Sequence, residues 1–469
     1  MKTHPSEQSL PADETGSMIY TVVVSVIAAV GGLLFGFDNG VIAGALPFFT
    51  KYFGLNAVQE GFSVSNLVIG AAAGAVFAGF LTDRFGRKRI LIATALMYIV
   101  SAVFSGLART FFDLVVARML GGVAIGISSV ASPMYIAELS PARLRGRLVT
   151  INQLTIVGGI LISYFSNWLL VDIGPDNWRW MFVVMTLPAG IFFIAMFFVP
   201  ESPRWLVLHG MTDRAMKIFT RVGGRSHAER EISGILMAGE IEKGSLSELF
   251  HPGFRRALII GVLLSFFAHM VGINAVNYYA PRIFLQAGFG SANSALLASL
   301  MVMLTLFVFT IVAIFTIDVF GRKPLLIVGS LAMGIAFIFT GAAFQSPHIG
   351  GIWLLVAIIA YDGAFAVSMG GVIWVYLSEI FPNKIRGRAM SIATMVLWIT
   401  EFIVAQTFPW LVDTYQGKTF YMYAAFCFAS FFFVWFMIVE TKGKSLEEIE
   451  YMWKEREAAR QHNASHLKA

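Results

Sequence analysis

At 469 residues, 57% apolar and only 13% charged, the chain carries about half the charge of a soluble domain. A mean hydropathy of +0.74 makes lipid the solvent for most of its surface and excludes a soluble globular protein. The formal net charge of +6 does not point to nucleic acid, because the basic residues sit in short loops between apolar runs, where a membrane protein places them for orientation.

Residues 1–18 form a polar tail that includes Glu7, Asp13 and Glu14, and the first apolar run is too long for the core of a signal peptide. Crossing ~30 Å of hydrocarbon takes ~20 apolar residues. Twelve runs meet that length: 19–49, 61–82, 90–108, 112–138, 148–171, 180–199, 257–281, 293–317, 324–344, 350–378, 389–412 and 419–439. The expected fold is therefore an all-α membrane protein of twelve transmembrane helices.

Charged groups and histidine enter only five of these runs: Asp38 in the first, Asp113, Arg118 and Glu138 in the fourth, His269 in the seventh, Asp362 in the tenth and Glu401 in the eleventh. Such groups are costly in a bilayer unless paired or functional. The length of the tenth run allows Asp362 a place near the outer third. The single cysteine, Cys427, lies within an apolar run, so no disulfide and no cysteine-based metal site is expected.

Arg84, Arg87, Lys88 and Arg89 follow the second run, Arg143, Arg145 and Arg147 the fourth, and Arg322 and Lys323 the eighth, whereas the opposite connections carry few cations. The positive-inside rule then puts both termini in the cytoplasm. The longest polar stretch, 201–256, carries periodic apolar positions that suggest short amphipathic helices under the bundle. It divides the chain into halves at 19–200 and 257–441, with a second tail at 442–469.

The halves repeat. Asp83-Arg-Phe-Gly-Arg-Lys-Arg89 recurs as Asp318-Val-Phe-Gly-Arg-Lys-Pro324, and Glu138-Leu-Ser-Pro-Ala-Arg-Leu-Arg-Gly-Arg147 as Glu379-Ile-Phe-Pro-Asn-Lys-Ile-Arg-Gly-Arg388. Pro200-Glu-Ser-Pro-Arg204 is echoed at nearly the same spacing by Val439-Glu-Thr-Lys-Gly443. Duplicated six-helix halves imply a pseudo-two-fold axis along the membrane normal and a substrate site near the midplane between them. Gly86 and Gly321 permit the tight turns these short connections need. Their basic residues can reach carboxylates at neighbouring helix ends, with Glu138 facing Arg145, Glu379 facing Arg386, and Glu201 and Glu440 as further acceptors.

With Gly31-Gly-Leu-Leu-Phe-Gly-Phe-Asp38, Pro133-Met-Tyr-Ile-Ala-Glu138, Pro200-Glu-Ser-Pro-Arg-Trp-Leu206, Gly272-Ile-Asn274, Tyr278-Tyr279 and Glu440-Thr-Lys-Gly443, these motifs make residues 19–451 resemble the sugar porter family of the major facilitator superfamily. The resemblance implies a secondary transporter that moves a sugar or sugar-like polyol by alternating access. It also implies cytoplasmic salt bridges among Asp83, Arg87, Glu138, Arg145, Glu201, Asp318, Arg322, Glu379, Arg386 and Glu440, which hold the outward-open state closed on the inside.

In proton symporters of that family the position of Asp38 carries Asp, and Arg118 matches the fourth-helix arginine that pairs with it. An arginine beside Asp38 favours its charged form and burial its neutral form, so a change of conformation can load and unload a proton. A static brace between two helices is the alternative. Gln153, Asn274 and Trp374 match the family's binding positions, and Phe35, Ile156, Tyr278 and Trp398 match its pocket wall. Amides that hydrogen-bond hydroxyls and an aromatic face under the ring are the chemistry a sugar needs.

The chain departs from the family at the site itself. Ala268-His269 stands where a Gln-Gln pair is usual, Gly370-Gly371 replaces Gly-Pro, Leu397 and Glu401 replace polar residues, and Val439 replaces a proline. The departures leave the identity of the substrate open. His269 is a candidate ligand or proton carrier, and Glu401 a candidate partner for His269 or for a substrate cation.

The expected partners are the bilayer and the small-molecule substrate, with no nucleic acid, no metal and no cofactor beyond the proton as coupling ion. A monomer in a bacterial plasma membrane is expected. An uncoupled facilitator and a non-transporting nutrient sensor are the competing readings. Asp38 speaks against the first and the short tails against the second. No nucleophile–base pair or phosphate loop suggests an enzyme.

Overall fold

The computed structural model describes residues 16–238, 252–345, 351–381, 386–443 and 448–449, without the side chains of 142, 143, 145–147, 252 and 253. Among the described residues there are helices and connections and no strand. The first half holds α1 (Met18–Phe53), α2 (Ala57–Phe85), α3 (Arg87–Leu107), α4 (Phe111–Leu139), α5 (Ala142–Leu170), α6 (Asn177–Val183) and α7 (Thr186–Phe198). The second holds α11 (Pro252–Met270), α12 (Ile273–Gln286), α13 (Ala292–Phe320), α14 (Arg322–Gln345), α15 (Ile352–Phe365), α16 (Gly371–Ile380), α17 (Arg386–Tyr415) and α18 (Lys418–Met437). Between them lie α8 (Pro203–Leu208), α9 (Thr212–Gly223) and α10 (Arg225–Ala238), which close on a small core of their own that includes Leu206, Phe219 and Ile232.

Twelve segments are long and apolar enough to cross a membrane, as the hydropathy pattern predicts. The even number leaves the start of α1 and the end of α18 on one side, called the tail side below. Three predicted spans are not single α-helices. The sixth is α6 followed by α7, the seventh breaks between Met270 and Ile273, where Gly272 takes φ 95, and the tenth carries a π-helical turn at Ala366–Gly370.

Helix starts follow from local chemistry. The side chains of Asn56 and Gln59 cap α2 reciprocally, and Thr110 and Asp113 do the same for α4. Asp113 is therefore a cap at the end of its span and not an intramembrane charge. Without water to drive association, helices in lipid pack through small residues. Gly70 and Gly74 of α2 lie against the carbonyls of Met119 and Val123, and Gly122 and Gly126 of α4 against those of Leu67 and Ala71, too close for a Cβ on either helix. Gly36 and Gly159 bring α1 onto α5 in the same way.

The halves meet through α2 on α17, α5 on α13 and α1 on α12. Hydrogen bonds between them gather on the side opposite the tails. There Ser65 donates to Gln406, Gln406 to the Val58 carbonyl, Trp168 to Asn293, and Tyr164 to the Asn277 carbonyl.

Candidate functional site

Arg118 Nη1 donates to Asp38 Oδ1 at 2.8 Å, joining α4 to α1, and the two residues are 1% and 3% exposed. Asp38 Oδ2 and Arg118 Nε and Nη2 are buried without a hydrogen-bond partner, so the pair is held by one bond of the several it could form. Arg118 also lies over the Phe182 ring, 5.7 Å from its centre.

A chain of contacts leads from this pair across the bundle. Phe35, one turn before Asp38, places its ring 6.2 Å from that of Trp398 on α17. One turn further along α17, Glu401 accepts a 2.6 Å hydrogen bond from the Tyr278 hydroxyl of α12, and Tyr278 lies within electrostatic reach of both Asp38 and Arg118. One turn before Tyr278, the Asn274 amide donates to His269 Nδ1 at 2.8 Å, bridging the break between α11 and α12. With Nδ1 accepting, the ring hydrogen of a neutral His269 sits on Nε2.

Glu401 pairs with Tyr278, and His269 with Asn274, where the sequence offered Glu401 as a partner for His269 or for a substrate cation. The break places the peptide groups of Val271 and Gly272 outside a continuous helix. Tyr361 and Cys427 direct their side-chain donors to the Val271 carbonyl, which satisfies it in the apolar interior.

Gln153 is half-buried on α5 and makes no hydrogen bond to a described residue, which leaves its amide free for a ligand. Ile156, one turn on, puts its carbonyl against Gly36. Trp374 follows the π-helical turn on α16, is 39% exposed and makes no ring contact with the others. The Trp398 indole nitrogen is buried without a partner. These side chains include carboxylate, imidazole, amide and indole groups, the chemistry for holding several hydroxyls.

The tail-side motifs form two matching clamps. Arg87 binds Asp83 at 3.1 Å and Glu138 at 2.9 Å, and Arg322 binds Asp318 at 3.1 Å and Glu379 at 2.7 Å. Ser202 donates to Glu138 and Thr441 to Glu379. Glu201 accepts from the backbone N–H groups of Arg87 and Lys88, and Glu440 from those of Arg322 and Lys323.

These contacts add the arginines of the turns to the partners expected from sequence, Arg145 for Glu138 and Arg386 for Glu379. Glu138 and Glu379 are taken by the arginines of the turns, and Glu201 and Glu440 cap the first turns of α3 and α14 through the backbone, where a helix favours negative charge. Gly86 and Gly321, at φ 91 and 88, leave room for those carboxylates where a Cβ would collide. Arg386 donates to the Phe381 carbonyl, and the Arg145 side chain lies outside the described residues.

Sequence reasoning missed an ion cluster on the far side. Arg282 of α12 binds Glu60 of α2 and, at 2.6 Å, Asp413 of α17, so one guanidinium ties the halves together. Each of these residues flanks a predicted span, where a charge is ordinary; only structure reveals their convergence. Asp362 is fully buried, with neither carboxylate oxygen partnered. Among the described residues no cluster of three or more potential metal ligands occurs.

A family model described as "Sugar (and other) transporter" matches residues 24–453. The arabinose-proton symporter of Bacillus subtilis is 40% identical over 463 residues, 97% of this chain and 100% of that protein. The inward-open conformation of the xylose transporter XylE from E. coli matches with a TM-score of 0.82 at 35% identity, covering 92% of this chain and 100% of that one. The proton:xylose symporter XylE bound to 6-bromo-6-deoxy-D-glucose matches with a TM-score of 0.74 at 36% identity, over 93% and 99% of the two chains. Motifs, twelve-span fold and similarity along nearly the whole length place this chain in the sugar transporter family of the major facilitator superfamily.

Proposed function

We propose that the chain is a proton-coupled symporter that moves a sugar or sugar-like polyol by alternating access. The observation that carries this reading is the buried, under-bonded Asp38–Arg118 pair, one helical turn from the Phe35–Trp398 contact that spans the two halves. With Arg118 in place the carboxylate is stabilised as an anion, and when the pair separates, burial favours the acid. Protonation would thus accompany a change in the contact between α1 and α4. Substrate held by Gln153 and Asn274, between Phe35, Ile156 and Tyr278 on one side and Trp398 and Trp374 on the other, would bring the halves together. His269 and Glu401 would set the choice among hydroxyl arrangements.

The relatives named above as arabinose- and xylose-proton symporters support the class of substrate. The better match to the inward-open conformation, and the bonding of the halves on the far side, support an inward-facing state. In this reading the tail side is cytoplasmic and the protein works as a monomer in the plasma membrane. The two clamps, each closed within its own half in this state, brace the helices of that half, and the halves span 19–200 and 257–441, joined by the linker 201–256.

Purified protein in proteoliposomes tests the proposal. A panel of pentoses, hexoses, inositols and sugar acids is offered with and without an inward-directed proton gradient. At least one should be concentrated only when the gradient is present. Equal, gradient-independent equilibration would identify an uncoupled facilitator, and no movement of any compound would overturn transport.

A further inference from the structure

Away from the central site, a cavity of about 600 Å³ opens on the tail side under the first half. Its walls come from the start of α1 (Tyr20), the start of α3 (Lys88 and Arg89), the segment after α7 (Pro200 and Glu201) and helices α8 and α9. Five cations line it: Lys88 and Arg89 from α3, and Arg214, Lys217 and Arg221 from α9. Glu201 is the only carboxylate in the lining, and it already accepts from the backbone of Arg87, Lys88 and Ser202.

Orientation by the positive-inside rule needs basic residues in the loops, but it does not need them to converge. Arg214, Lys217 and Arg221 stand at consecutive turns of one face of α9, turned toward the basic start of α3. Like charges on one helix face and across a cavity repel one another, so their convergence costs stability unless an anion compensates it. The cations of α9 have no carboxylate partner among the described residues. Arg214 reaches the Met211 sulfur, and Lys88 reaches the Phe197 carbonyl.

We propose that this cavity binds a phosphate-bearing anion. Several N–H donors around a concave, partly enclosed space match the oxygens of a phosphate mono- or diester, and Trp205 and Leu206 offer apolar contact to whatever the phosphate carries. The neighbouring end of α7 presents Phe197 and Phe198, 53% and 83% exposed, as a lipid-facing flank beside the opening. An anionic phospholipid could lay its acyl chains there and its headgroup in the cavity; a soluble phosphate compound would use the headgroup pocket alone. A bound anion would fasten α9 to α3 and so tie the linker to the first half.

The test uses the full chain, delipidated in a neutral detergent. Thermal unfolding is followed with phosphatidylglycerol, with phosphatidylcholine and with inorganic phosphate, and retained lipid is read by native mass spectrometry. The doubly substituted Arg214→Gln, Lys217→Gln protein should bind about thirtyfold more weakly. Arg225→Gln, which changes an exposed cation outside the cavity, should bind as wild type. Gel filtration and sugar binding check that the double variant is folded. A Tm rise with phosphatidylglycerol alone assigns the site to lipid, and a rise with phosphate as well assigns it to soluble anions; both support the proposal. An equal response to phosphatidylcholine, or an unchanged response in the double variant, would overturn it.

Discussion

Arg118 meets the Asp38 carboxylate through one oxygen only, and the other oxygen is buried with no donor on it. A fully saturated pair would behave as a brace, because separating it would break every bond at once. A pair held by one bond can exchange its partner for a proton at lower cost. Asp38→Asn keeps the shape and hydrogen-bonding capacity but cannot release a proton. Proteoliposomes with this variant should still exchange substrate, while accumulation against a gradient is lost. Concentrative uptake equal to wild type would remove Asp38 as the carrier and turn attention to Glu401 and His269.

Gln153 has no partner among the described residues, so its amide costs the protein nothing to lose except binding. Gln153→Ala should weaken substrate affinity by roughly 1–3 kcal/mol, with unchanged expression and melting behaviour. Calorimetric titration of the purified variant decides the matter, and wild-type affinity would take Gln153 out of the site.

His269 accepts the amide hydrogen of Asn274 and thereby fixes which face of Asn274 remains for substrate. Replacing Ala268 and His269 together by Gln adds two amides and removes that imidazole tether. The double variant should accept a broader set of hexoses and pentoses, measured as competition against the native substrate. An unchanged profile would exclude these two positions as selectors.

The sequence made the twelve spans and the duplicated motifs legible, because span length and tight-turn motifs are local properties. The pairings were less legible. Glu201 and Glu440 sit in matching motifs, yet nothing in the residue pattern tells whether a carboxylate will take a guanidinium or the backbone of a helix start. The break at Gly272 hides inside an apolar run, since hydropathy is blind to whether a helix is continuous. Asp362 could be located in its span, but not its full enclosure by neighbouring helices.

Arg282 holds acidic groups of both halves on the far side. Arg282→Gln would free the halves there and leave Glu60, 6% exposed, without its cation. The population should shift toward the conformation open on that side by about tenfold, read as faster labelling of single cysteines placed along the inner faces of α2 and α17. Unaltered labelling would show that the cluster does not hold the gate.

Glu440 lies beyond the last membrane-spanning helix. Desolvation disfavours its charge, but the backbone N–H groups of Lys442, Arg322, Lys323 and Thr441 outweigh that cost and hold its carboxyl below the ordinary value of 4.5. A group held below its unfolded value stabilises the fold above that value, and the stabilisation disappears as pH falls through the folded one. Thermal stability of the wild type should therefore drop below about pH 4.5 more steeply than that of Glu440→Gln. Parallel curves for the two proteins would exclude Glu440 as a contributor to acid sensitivity.

The break at Gly272 leaves α12 as a short rod of 14 residues, Ile273–Gln286, with Asn274 and Tyr278 near one end and Arg282 toward the other. Eight residues of helix separate Asn274 from Arg282, a distance of about 12 Å. In the proposed transport cycle such a rod would be a lever pivoting on the glycine. In that mechanism a substrate that pulled on Asn274 would move Arg282 with it, so filling the site and latching the far side would be one motion, with no relay of side chains between them.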